Sequence, residues 1–182
     1  MKKQTTFVII LGVLFISLTS AALVPNLSNT ITGTIDVDGP VFYAGSDNTL
    51  LLNSPEGSTS IYNLGGPDME KFWSEEFEES LDFYPMEIEM QVNAKVETGE
   101  LPKRLLLEFG YLKNDNTHKI CNTEINVTSN GFQSYDGTCF NDNEIDDIDG
   151  FYYKIEGMGT TNSSYGVQVG DSGTKAAIHK YE

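Results

Sequence analysis

The sequence predicts an all-β protein, a two-sheet antiparallel β-sandwich with one short helix. Three observations carry that expectation. Met86, Ile88, Met90, Val92, Ala94 and Val96 are apolar, while Glu87, Glu89, Gln91, Asn93, Lys95 and Glu97 between them are polar. Successive side chains of a strand point to opposite faces, so this run is a strand with one buried and one wet face. Further short runs repeat the pattern: Leu105, Leu107, Phe109 and Tyr111, then Thr123–Thr128, Phe151–Glu156, Tyr165–Val169 and Ala176–Tyr181. Turn-forming residues separate them: Thr98-Gly99-Glu100, Asn114-Asp115-Asn116, Asn130-Gly131, Asp136-Gly137, Gly157–Ser164 and Gly170–Gly173. Many short strands between regular turn signals describe a sandwich.

The elements follow in order. Lys2 and Lys3 precede the apolar run Phe7–Leu18, with small residues at Ser20, Ala21 and Ala22. A charged start, an apolar stretch and a small-x-small site describe a secretory signal peptide, so residues 1–22 are expected to be removed before Leu23. The rival reading is an uncleaved N-terminal anchor, since the uncharged stretch Phe7–Val24 is close to the length of a membrane span. Both readings place residues 23–182 outside the cytoplasm as a single domain, extracellular or at the cell surface, because the two lysines favour a cytoplasmic N-terminus. Ile31, Ile35 and Val37 alternate with polar residues, Val41-Phe42-Tyr43 follows Gly39-Pro40, and Thr49–Asn53 and Thr59–Asn63 read as two short strands. Pro67–Phe83 is the expected helix: Met69, Phe72, Trp73, Phe77 and Leu81 recur at three-to-four spacing, Pro67 suits a first helical position, and Asp68 and Glu70 favour the positive end.

Charge narrows the function classes. The chain carries 27 acidic against 11 basic residues, for a net charge of −16, and becomes more negative if Lys2 and Lys3 are removed with the leader. Such a surface repels phosphate backbones and anionic lipid, so a nucleic-acid partner is not expected, and membrane contact is expected only through an uncleaved N-terminal segment. It favours solubility and attracts divalent cations. The two cysteines, Cys121 and Cys139, form an even count in an exported chain and read as one disulfide. Three sequons place candidate N-glycosylation at Asn26, Asn126 and Asn162, with Asn126 the best placed, between Ile125 and Val127 on a strand.

Val41-Phe42-Tyr43, then Phe72-Trp73-Ser74-Glu75-Glu76-Phe77, then the long strand from Met86, resembles the opening of secreted jelly-roll β-sandwich modules of archaeal and bacterial cell-surface proteins. Tyr165–Val169 and Ala176–His179 look like the last two strands of such modules. The resemblance is one of strand pattern and a single tryptophan over residues 41–182. It implies a jelly-roll-like sandwich with a binding or structural role.

No hydrolase, metalloprotease or phosphate-loop motif surrounds His118 or His179, so the chain is read as a non-enzyme. Two binding chemistries remain. The acidic stretch Asn141–Gly150 supplies carboxylates for calcium, with Asp142, Asp146, Asp147 and Asp149 as candidate ligands; Ile145 stands where an EF-hand would need an oxygen. The aromatics Trp73, Tyr84, Tyr135 and Tyr152 are candidate stacking surfaces for glycan rings, Tyr152 above all, because its neighbours Phe151 and Tyr153 are expected to face inward. The sequence thus reads as a non-catalytic secreted or surface protein of the adhesion, envelope or glycan-binding class, with glycans or other surface proteins as partners. The alternatives are a self-assembling filament subunit that uses Leu23–Asp38 as a donated strand, and a secreted carbohydrate-active enzyme with two carboxylates in a cleft.

Overall fold

The computed structural model describes residues 39–65, 69–84, 86–158 and 163–180, all within one compact unit spanning Asp36–Glu182. The N-terminal leader, the Leu23–Asp38 segment, Asn26 and Asn162 lie outside the described residues. So does Pro67, the expected first residue of the helix.

Among the described residues, eleven strands form two antiparallel sheets. They are β1 (Val41–Ala44), β2 (Leu50–Leu52), β3 (Ser60–Gly65), β4 (Glu70–Phe83), β5 (Met86–Thr98), β6 (Lys103–Lys113), β7 (Asn116–Val127), β8 (Gln133–Asn141), β9 (Ile145–Met158), β10 (Ser164–Val169) and β11 (Lys175–Lys180). The larger sheet runs β2-β1-β11-β5-β10-β3, with β8 on the remaining side of β5. Strands β10 and β11 lie end to end along β5: Gln168 pairs with Asn93, and Lys175 pairs with Gln91. The smaller sheet runs β4-β9-β6-β7.

The alternation of β5 is realised as read. Ile88, Met90, Val92, Ala94 and Val96 are buried between the sheets. They meet Leu105, Leu107 and Phe109 of β6 and Phe151, Tyr153 and Ile155 of β9 in one core. Phe151 is its hub, with the rings of Phe42, Phe77, Phe83 and Phe109 all 5.2 to 5.5 Å away. Asn114 and Asp115 both take positive φ, the backbone a two-residue hairpin needs, so β6 returns directly into β7 with Lys113 opposite Asn116.

The expected helix is instead β4, and no helix occurs among the described residues. Trp73, Phe77 and Leu81 are four apart, a spacing shared by a helix face and a strand face, because four is near 3.6 and is also twice two. Two observations decide between them. Most of the residues in Glu70–Phe83 pair with β9, in an unbroken run from Glu70 to Glu76 and again at Leu81 and Phe83. Phe72, on the opposite face from Trp73, finds its own partner in Tyr152. Pairing against β9 outweighed the helix propensity of a glutamate-rich segment.

Asp136-Gly137, expected as a turn, lies inside β8. A side chain at Gly137 would meet Thr123 of β7 at 2.6 Å, so glycine here allows β7 and β8 to approach. Those two strands belong to different sheets, and the Cys121–Cys139 disulfide joins them, with Cα atoms 5.9 Å apart. On the other side of the sandwich, Thr49 bridges Ser74, and the Trp73 indole Nε1–H donates to the Gly45 carbonyl at 2.9 Å.

Candidate ligand groove

The structure places the sequence-predicted binding residues in four different settings. Trp73 is fully enclosed, its ring edge-on to Tyr62, and offers no face to a ligand. Tyr152 lies on the outer side of the smaller sheet, as alternation requires, but is only 3% exposed. Its ring stacks on Phe72 with centroids 4.9 Å apart and covers Gly110, where a Cβ would meet it at 2.4 Å. Its hydroxyl donates to Glu108 Oε1 at 2.9 Å. Burial, and then the Glu108 bond and charge, push that hydroxyl well above the usual phenol range. Lys154 completes the group, 3.5 Å from both Glu108 and Glu156 and 3.9 Å from Glu70. Tyr135 packs against the core and accepts from the Thr128 amide at 3.1 Å, holding the β7–β8 connection. Tyr84 alone presents a free surface, at 54% exposure. The expected set of stacking aromatics therefore does not converge, and three of its four members hold the fold together.

The four acids expected to hold calcium, Asp142, Asp146, Asp147 and Asp149, are likewise spread over different settings. The acidic stretch is largely strand β9 from Ile145 onward, and in a strand neighbouring side chains point apart. No three His, Cys, Asp or Glu side chains gather as a metal set among the described residues. Asp147, at positive φ, lies 3.9 Å from Lys113, which also donates to the Asp146 carbonyl at 2.7 Å. Asp142 is exposed in the β8–β9 connection.

Asp149 has a different task, and it marks the site. Strand β4 pairs regularly with β9 from Glu70 to Glu76, and pairing resumes at Leu81 opposite Ile148. The segment Phe77–Ser80 therefore bulges out opposite Asp149 alone. Extra residues in one strand bend it and re-aim its side chains. Asp149 pins the bulge: its Oδ1 accepts from Ser80 Oγ at 3.0 Å, and its Oδ2 accepts from the Asn114 amide at 2.7 Å. Gly150 lets the strands close just behind it, since a Cβ there would lie 2.2 Å from the Glu75 carbonyl oxygen.

Between the bulge and the β6–β7 turn lies an open groove of 380 Å³. Glu76, Phe77, Glu78 and Ser80 form one wall, Leu112, Asn114 and Asp115 the other, and Asp149 joins them. Phe77 and Leu112 supply apolar surface, and the acids and Asn114 supply hydrogen-bonding groups. Sequence reasoning named Asp149 for another role and missed the rest. The signals present were the glutamate run Glu75–Glu79 and the Asn-Asp turn, but only the pairing with β9 brings them together.

Glu75, beside the groove, carries a measurable consequence. Burial, then the charges of Asp47 and Glu76, hold its carboxyl above the ordinary glutamate value. The folded protein thus disfavours the ionised form, a penalty in force at neutral pH that disappears as pH falls below the unfolded-state value of about 4.3. Glu75→Gln is expected to raise the melting temperature at pH 7, with the gain shrinking to nothing near pH 4. Melts across that range check it, and a variant no more stable than the parent at pH 7 would contradict the assignment.

Comparison with known proteins shows a fold and no family. No family model matches the chain, and no curated protein sequence matches it. The chain resembles a CocE/NonD family hydrolase from Staphylococcus aureus, with a TM-score of 0.59 and 7% identity over 78% of this chain and 36% of that one. It also resembles an aminopeptidase from a marine sediment archaeon, Thaumarchaeota archaeon, with a TM-score of 0.53 and 7% identity over the same shares. The chain thus spans about a third of the length of these proteins. Structural neighbours also include carbohydrate-binding modules, among them the CBM22-1 xylan-binding domain of Paenibacillus barcinonensis Xyn10C, with a TM-score of 0.41 and 11% identity over 82% of this chain and all of that one. Among the described residues no helix is long and apolar enough to cross a membrane.

Proposed function

We propose that this chain is an exported, non-catalytic binding domain that takes a polyhydroxylated ligand of the glycan type in the groove beside the β4 bulge. The observation that carries the reading is the groove's mixed lining. Phe77 and Leu112 give a sugar's C–H face an apolar surface, while Glu76, Glu78, Asp115 and Asn114 give its hydroxyls polar partners. Ligand sites are recognised by that combination of apolar wall and few convergent polar groups. Export rests on the leader-like residues 1–22 and on the disulfide, which persists in oxidising compartments. Asn126 on β7 is exposed, which keeps it accessible as a glycosylation site.

Calorimetric titration against a panel of oligosaccharides tests the reading. Glu76→Ala and Glu78→Ala remove exposed groove carboxylates, and Asp149 is left intact because it pins the walls. Each variant is expected to bind the responding glycan about tenfold more weakly, the loss of one ligand hydrogen bond, with no fall in melting temperature. No binding to any member of the panel would reject the glycan assignment.

A further inference from the structure

The chain contains one Asn-Gly dipeptide, Asn130-Gly131, and neither the core nor the groove uses it. It forms a bend in the connection between β7 and β8, with both residues exposed. Three hydrogen bonds tie that connection down. The Thr128 amide donates to Tyr135 Oη at 3.1 Å, the Val96 amide donates to the Ser129 carbonyl at 2.9 Å, and the Gly131 amide donates to Ser129 Oγ at 3.0 Å. Of these, the last alone involves the dipeptide. Beyond its chain neighbours, a Cβ on Gly131 would meet only Ser129 Oγ, at 3.7 Å, so the Gly131 backbone faces open space. The other Asp-Gly pairs among the described residues are closed. Asp136 and Gly137 pair with Gln91 and Met90 inside the sheet, and a Cβ on Gly137 would meet Thr123 at 2.6 Å. Asp149 is held by Ser80 and the Asn114 amide, with Gly150 pressed against the Glu75 carbonyl.

We propose that Asn130 is a site of spontaneous deamidation in the folded protein, yielding aspartate and isoaspartate. The Gly131 amide loses its proton to hydroxide, and its nitrogen attacks Asn130 Cγ. The new N–C bond closes an imide ring, the Cγ–Nδ2 bond breaks, and ammonia leaves. Water then opens the ring at either carbonyl. Opening at Cγ gives aspartate, and opening at the main-chain carbonyl gives isoaspartate, whose main chain runs through Cγ. Glycine makes the attack accessible, because no side chain crowds its nitrogen and its backbone turns freely. The Ser129 bond is the restraint to overcome, and opening one exposed hydrogen bond slows the attack by no more than about tenfold. Each event adds a negative charge beside β8, and isoaspartate lengthens the main chain in the connection tied to Val96.

Timed incubation of the full chain with its disulfide oxidised, from neutral to mildly alkaline pH, followed by peptide mapping with mass spectrometry, tests this. The peptide spanning Asn130 is expected to gain about one dalton and to split into two chromatographic species, faster as pH rises. Its rate is expected to stay within about tenfold of that in the same chain unfolded by denaturant. Asp136 and Asp149 are expected to form isoaspartate only in the unfolded chain. Gly131 is not held at positive φ, so Gly131→Ala is expected to keep the fold and melting temperature. It is expected to slow the change about tenfold, because the added Cβ crowds the attacking nitrogen. An Asn130 that stays intact in the folded chain while it deamidates in the unfolded one overturns the proposal, since the bend then holds the reacting atoms apart. A rate indifferent to Gly131→Ala overturns it equally, because the imide route would not be the one taken.

Discussion

Trp73→Ala is expected to destabilise the fold by about 3–5 kcal/mol, the top of the range for truncating a single core side chain. The indole is wholly buried, packs edge-on against Tyr62 and lies 6.2 Å from the Tyr153 ring. Truncation leaves a cavity at the point where β4 of the smaller sheet meets the β1–β2 connection of the larger. It also removes the donor to the Gly45 carbonyl. The two contributions separate in Trp73→Phe, which keeps an aromatic ring and loses only part of the packing, but leaves Gly45 without its partner at a cost of about 1–3 kcal/mol. Denaturant unfolding followed by circular dichroism measures both variants. A loss below about 1 kcal/mol for the alanine variant would mean that the ring is not the tie between the sheets that its burial indicates.

Breaking the Cys121–Cys139 bond is expected to cost about 3 kcal/mol in the chain-entropy account and to lower the melting temperature by roughly 10 °C. The bond spans a sequence separation of 18 and links β7 in one sheet to β8 in the other. Both are strands at the side of the sandwich opposite Trp73, so the two ties hold the two seams. The Cys121→Ser/Cys139→Ser double variant and the reduced wild-type chain are expected to melt alike. Thiol titration establishes reduction, and a fully reduced wild type that melts with the oxidised one would show that packing at Gly137 and Thr123 closes the seam unaided. Because the ties lie far apart, their losses are expected to add in the combined variant.

The sequence alone determined the elements whose signal is local. Period-two alternation fixed β5 and its buried face, since a one-residue shift would have turned Ile88 and Val92 to water. Paired cysteines fixed the crosslink, and the Asn114-Asp115 dipeptide fixed a turn, because few residues other than glycine accept positive φ. The inward setting of Phe151, Tyr153 and Ile155 followed from the same alternation.

The tertiary structure alone decided the rest, wherever a residue's role depends on a partner distant in the chain. Glu70–Phe83 reads equally as helix or strand, and only β9 alongside it settles which. Tyr152 points outward as expected but is covered by Phe72, eighty residues earlier in the chain, across a gap left by Gly110. Gly137 carries a turn-like signal yet serves the close approach of two strands. The groove is the clearest case. Asp149 is legible as an acid, but its function as the pin between Ser80 and Asn114 exists only because β4 slips its register against β9. Local propensity is a property of neighbours in sequence, whereas register and burial are set by the facing sheet, and the candidate binding surface is built from register and burial.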